Sequence, residues 1–186
     1  MLTTLRRPVI LIPVVLVGIA VVTVALLAFQ PWRLFTNVTV DEGLPTVAVP
    51  TASSSTASAA AATPAEPQEP TVLAAGEFIS HEHGTAGAVR ILELADGSRV
   101  LRIEDLDTSN GPDLKVWLTD APVIDGPSGW FVFDDGEYVD LGSLKGNKGS
   151  QNYAIPADVD LSALTSVTIW CDRFSVSFGA AELTSA

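Results

Sequence analysis

The stretch GAVRILELADGSRVLRI, Gly87 to Ile103, decides the fold class. Its two arms carry an apolar–polar period of two, and Asp96-Gly97 between them is a dipeptide that favours a tight β-hairpin turn. Working outward, Leu114 to Leu118 puts Leu114, Val116 and Leu118 on one strand face and Lys115 and Trp117 on the other. Tyr138 to Leu144 and Gln151 to Ile155 flank Gly146-Asn-Lys-Gly149 and read as a second hairpin with a longer loop. Ser166 to Asp172 followed by Phe174 to Ala180 forms the last pair. No amphipathic helical period occurs after Thr71 beyond one short turn at 163–165. Roughly seven or eight short strands punctuated by Gly, Pro and Asp predict an all-β unit, an antiparallel β-sandwich or small barrel.

The N-terminal part obeys different rules. Pro8 to Phe29 is uncharged (PVILIPVVLVGIAVVTVALLAF), and as a helix spans about 33 Å, enough to cross a hydrocarbon core. A secretory leader has a shorter apolar run closed by a small-residue cleavage site, which this stretch lacks. An uncleaved transmembrane helix over 8–29 is therefore expected. Arg6 and Arg7 precede it and Arg33 alone follows, so residues 1–7 are expected in the cytoplasm and the C-terminal domain outside. Thr46 to Pro70 is dominated by Ala, Ser, Thr and Pro and has no aromatics, a composition that cannot bury enough surface to fold. Residues 30–72 are read as an extracytoplasmic linker holding the domain, 73–184, away from the bilayer. Asn37-Val38-Thr39 matches an N-glycosylation sequon of high chance frequency.

Charge and composition exclude several functions. From Thr71 onward 7 Lys and Arg face 18 Asp and Glu, leaving the domain at −11 of the chain's −12. Such a surface repels phosphate backbones, so no nucleic acid is expected as partner. The mean hydropathy of +0.35 owes much to the N-terminal run. One cysteine, Cys171, rules out an intramolecular disulfide and any Cys-rich zinc or iron–sulfur site in one chain. The only methionine is Met1, so the domain offers no Met ligand to copper or haem.

Cys171 is the residue with chemical potential. It alternates with Val167 and Ile169, while Thr168, Trp170 and Asp172 take the other face. It reads either as a small buried hydrophobe or as a sulfur that ligates a metal or passes electrons. His81 and His83 share a face if Phe78 to Gly84 is a strand, and two imidazoles with one thiolate make a trigonal copper ligand set. The candidate metal ligands are thus His81, His83 and Cys171, set against solvated loop histidines. The stretch after Asp105 resembles a calcium loop, but its glycine comes one position late and Val116 stands where a bidentate Glu belongs. Asp134, Asp135 and Glu137 read as a solvated acidic loop. No nucleophile elbow, P-loop or dinucleotide fingerprint is present.

Three segments, GPDLKVWL (Gly111 to Leu118), LGSLKGNKGSQNYAIP (Leu141 to Pro156) and SVTIWCDRFSVSFGAAEL (Ser166 to Leu183), together with His83 and Gly87 upstream, make the chain resemble the DM-thirteen (DM13) domain family. The resemblance covers about Ala74 to Leu183 and is weakest between Ala121 and Glu137. It implies a β-sandwich-like extracellular domain, often membrane-tied, with a proposed electron-transfer or redox role resting on a characteristic cysteine, here Cys171. The leading expectation is a membrane-anchored redox domain centred on Cys171, with a redox partner protein; the sequence specifies no cofactor. The alternative is a non-catalytic surface module for carbohydrate, wall polymer or protein, using Trp117 and Trp130 if exposed. A hydrolase ranks third, for want of a catalytic constellation.

Overall fold

The computed structural model describes residues 8–45 and 69–186. The expected cytoplasmic N-terminus (1–7) and residues 46–68 of the expected linker lie outside them. Helix α1, Pro8–Phe29, contains Pro13 and is long and apolar enough to cross a membrane or to serve as a signal sequence. A 3₁₀ turn, Pro31–Phe35, follows it.

The rest is β structure in two layers. The strands are β1 (Thr39–Asp41), β2 (Thr71–Glu77), β3 (Ile79–Ser80), β4 (Ala86–Glu93), β5 (Arg99–Asp107), β6 (Leu114–Thr119), β7 (Tyr138–Ser143), β8 (Lys148–Ile155), β9 (Ser166–Cys171), β10 (Val176–Glu182) and β11 (Thr184–Ser185). One sheet has the order β1-β8-β5-β4-β2-β11 and the other β3-β10-β9-β6-β7. Among the described residues only the β1–β8 pairing is parallel. The sheets do not close into a barrel; they stack as a sandwich, one of the two expected architectures.

The 87–103 hairpin forms as β4 and β5. Leu94 accepts from Gly97 N–H at 2.9 Å, and Leu94 N–H donates to Ser98 at 2.9 Å. Gly97 sits at φ +79, the left-handed position of a three-residue hairpin loop, which a glycine adopts at little cost. The β9–β10 hairpin also forms, although β10 begins at Val176, because Asp172 to Ser175 are used by the turn.

The inner faces of both sheets share one core, with Val89, Leu101, Ile103, Val116, Leu118, Val167, Ile169 and Cys171 all wholly enclosed. A second cluster, Trp117, Phe133, Trp170, Ala121 and Ala180, lies on the outer face of the five-stranded sheet. Phe133 reaches it from the long β6–β7 connection. This cover explains why all six residues of β9 are buried: the strand has a core on each side.

Two expectations require correction. Tyr138–Ser143 and Lys148–Ile155 are not a hairpin: β7 pairs with β6 in one sheet, whereas β8 pairs with β5 and β1 in the other. The connection crosses between layers and is held by side chains. Gln151 Oε1 accepts from Lys145 N–H (3.1 Å), Gly146 N–H (3.2 Å) and the Tyr153 hydroxyl (2.8 Å). A period of two reports strands but not their partners.

The second correction concerns the linker. Thr39–Asp41, inside the 30–72 stretch, is a strand of the six-stranded sheet. Its seat is Gly146 and Gly149: a Cβ on Gly146 would lie 2.5 Å from the Val38 carbonyl oxygen, and one on Gly149 2.2 Å from that of Val40. Glycines that read as a turn signal are there because another backbone passes against them. Asn147 Oδ1 accepts from Val38 N–H at 2.7 Å, and Arg102 donates to the carbonyls of Glu42 (3.1 Å) and Gly43 (3.0 Å). Glu42 also binds Lys145 at 2.7 Å. Residues 46–68 therefore connect two strands of the same sheet, β1 and β2, rather than separating the helix from the domain.

Candidate functional site

Cys171 ends β9, the middle strand of the five-stranded sheet, and is fully buried. Its Cα partners are Leu114 on β6 and Val176 on β10. Strand alternation aims the sulfur into the main core. Burial pushes its pKa up, opposed by the backbone N–H groups of Phe174, Arg173 and Asp113 around the sulfur, while Glu82 adds to the upward push. The resting group at neutral pH is a protonated thiol.

Two local features enclose the sulfur. The β9–β10 turn doubles back immediately after Cys171, with Phe174 N–H donating to the Cys171 carbonyl (3.2 Å) and Ser175 at φ +49. The segment before β6 closes the other side, where Asp172 N–H donates to the Asp113 carbonyl at 2.9 Å. Against this end opens a cavity of about 280 Å³ bounded by Arg33, Asn110, Pro112, Leu114, Leu144 and Asn147.

His83 lies near this end of the core. Its ring stacks on Phe178 at a centroid distance of 3.9 Å, and Nε2 is 3.3 Å from Glu82. His81 goes elsewhere. Nδ1 is hydrogen-bonded to Ser177 Oγ (2.8 Å), which is bonded in turn to Thr168 Oγ1 (2.8 Å), and the ring lies 5.7 Å from Phe133. Those partners occupy the outer face of the five-stranded sheet, whereas Cys171 occupies the inner one. A sheet thus separates His81 from the sulfur. Among the described residues no group of three or more His, Cys, Asp or Glu side chains is placed to hold a metal ion, so the His81, His83 and Cys171 trio is not assembled. Burial lowers the pKa of His81, with the Ile124 carbonyl and Asp125 opposing, so it is neutral at pH 7. Among the described residues no group lies within hydrogen-bond geometry of its Nε2.

Trp117 is also buried, stacked between Tyr138 (4.0 Å) and Trp170 (5.1 Å), and Trp130 is half-buried against the core. Neither offers the exposed face that a surface-binding module would need. The acidic loop residues Asp134, Asp135 and Glu137 are exposed.

The sequence reading missed the residues joining this end of the domain to α1. Phe29 stacks on Phe174 with centroids 6.0 Å apart and planes 8° apart. Arg33 Nη1 donates to the Gly111 carbonyl (3.4 Å), and Asn110 Nδ2 to that of Thr36 (3.4 Å). The available signal was Gly146 and Gly149, which the sequence presents as an ordinary turn and which the structure uses as the seat of β1.

No curated protein and no solved structure matches the chain. Residues 77–183, more than half of it, match the family model described as Electron transfer DM13. The match runs from the end of β2 through β10 and takes in the cysteine with its enclosing turn. The chain belongs to the DM13 electron-transfer family.

Proposed function

We propose that the chain is a membrane-anchored extracytoplasmic electron-transfer domain whose working residue is Cys171. Membership of the DM13 family supports a redox role in general. One observation carries the assignment to this residue: the chain's single cysteine is fully buried at the end of β9, directly beneath the β9–β10 turn, within the part of the chain that matches the family. Helix α1 acts as an uncleaved anchor with residues 1–7 in the cytoplasm, and the domain exchanges electrons with a redox partner on the outer side. The length and uncharged composition of α1 and the Arg6/Arg7 bias support this topology.

The test uses full-length protein purified from its native membrane. Its absorption spectrum, metal content and reductive titration are compared with those of Cys171→Ser. A redox-active absorption present in the wild type and lost in the variant is expected. Identical titrations, taking up no electrons in either protein, would remove the redox assignment. Anchoring is checked separately: the protein should resist alkaline extraction, and protease added to intact cells should degrade the C-terminal domain. A mature N-terminus beyond Phe29 would make α1 a leader.

A further inference from the structure

The corrected path of residues 30–43 sets how close the domain lies to the end of α1. Nine residues separate Phe29 from β1, and five of them form the Pro31–Phe35 turn. β1 is then fixed on β8 by the seat at Gly146 and Gly149. An anchored domain latched in this way has no room to stand off on a stalk.

The end held near the helix is also identifiable. Thr39 pairs with Lys148, Lys148 with Asp107, and the β5–β6 connection leads from there to Leu114, the partner of Cys171. The opposite end carries the β4–β5 turn at Asp96, where Glu93 pairs with Arg99. β5 separates the two ends by nine residues, roughly 30 Å. Aromatic side chains gather at the helix-proximal end: Phe35 is 88% exposed, Phe174 48%, and Phe29 and Trp32 are exposed beside them. Arg33 and Arg173 stand among them, both exposed. An amphipathic Trp32 and exposed apolar phenylalanine rings at the end of an apolar helix, interleaved with guanidinium groups, have the chemistry of a membrane interface, with the rings entering the headgroup–acyl boundary and Arg on phosphate.

From this we infer that the Cys171 end of the domain docks on the outer headgroup layer of the bilayer that holds α1, with Phe174 and Phe35 as its contacts. The inference rests on the anchored reading of α1. The headgroups it fits are zwitterionic. Asp172 is exposed between the aromatic turn and Cys171, and the domain carries −11, so a strongly anionic surface repels it. Docking places the thiol and its cavity towards the lipid surface and the acidic loop Asp134 to Glu137 elsewhere on the domain.

The experiment uses the full chain in phosphatidylcholine vesicles containing a doxyl-lipid quencher. A fluorophore is attached at Asp172→Cys in one variant and Asp96→Cys in another. The unsubstituted chain, whose only thiol is buried, reports background labelling. Quenching several-fold stronger at 172 than at 96 is expected, and weaker at 172 when Phe174→Ser is added. Adding phosphatidylglycerol should weaken it. Equal, weak quenching at both sites in chains that co-float with the vesicles would overturn docking and leave anchoring intact. No effect of Phe174→Ser would overturn the named contact, and stronger quenching with phosphatidylglycerol the headgroup assignment. Chains that fail to co-float would overturn the anchored reading and the docking with it.

Discussion

Replacing Cys171 by Ser and by Ala tests whether the backbone N–H groups around the sulfur hold a polar atom. The site is fully buried, so removing the sulfur leaves a small cavity; lost transfer and cavity terms together cost roughly 1–2 kcal/mol in Cys171→Ala. A serine hydroxyl in a dry core adds about 1–3 kcal/mol for an unpartnered polar group. If Phe174, Arg173 and Asp113 N–H face the position, the oxygen accepts from them and recovers about 0.5–1.5 kcal/mol. Cys171→Ser should then lie within about 1 kcal/mol of Cys171→Ala. Urea unfolding of the chain in detergent, followed by tryptophan fluorescence, measures both. A serine variant more than about 2 kcal/mol less stable than the alanine variant would refute hydrogen bonding at this position, because only an unpaired hydroxyl costs that much. In the wild type, alkylation before unfolding should be slow at pH 8 and accelerate only above the ordinary thiol range, since burial raises the thiol's pKa.

Three further outcomes are expected. Gly149→Val, at a residue with φ +91 and no room for a Cβ, should release β1 and expose residues 30–45 to protease while the β9–β10 hairpin stays protected; an unchanged digestion pattern counts against the latch. His81 is held neutral, so its stabilising contribution is complete above its unfolded value of about 6.5 and is lost as pH falls below it; His81→Asn should flatten the pH 5–7 part of a stability profile, and a wild-type profile already flat there would contradict the burial. Tyr153 is the reverse case. Its pKa is raised to about 12, with burial the main cause, so stability is complete below pH 10 and declines as pH rises towards 12. Tyr153→Phe should lose that alkaline dependence in thermal melts taken between pH 9 and 12.

The sequence alone determined the elements and their faces. The β4–β5 hairpin follows from Asp96-Gly97 between two alternating arms, and Leu114, Val116, Leu118, Val167, Ile169 and Cys171 point inward as their period of two requires, because alternation across a strand is a local property of the backbone. The apolar helix and the family were legible for the same reason: both are written in contiguous residues. Pairing was not. That β7 and β8 part into different sheets is held by Gln151 on the connection itself and by Asn147 binding backbone far along the chain, and that Thr39–Asp41 joins β8 depends on two glycines 107 to 110 positions away from Thr39. His81 and Cys171 looked compatible as ligands because residue types say nothing about which side of a sheet each side chain occupies. A three-residue strand carries too little pattern to announce itself, and only its seat on the folded sheet brings residues 30–43 and the end of α1 against the turn that covers Cys171.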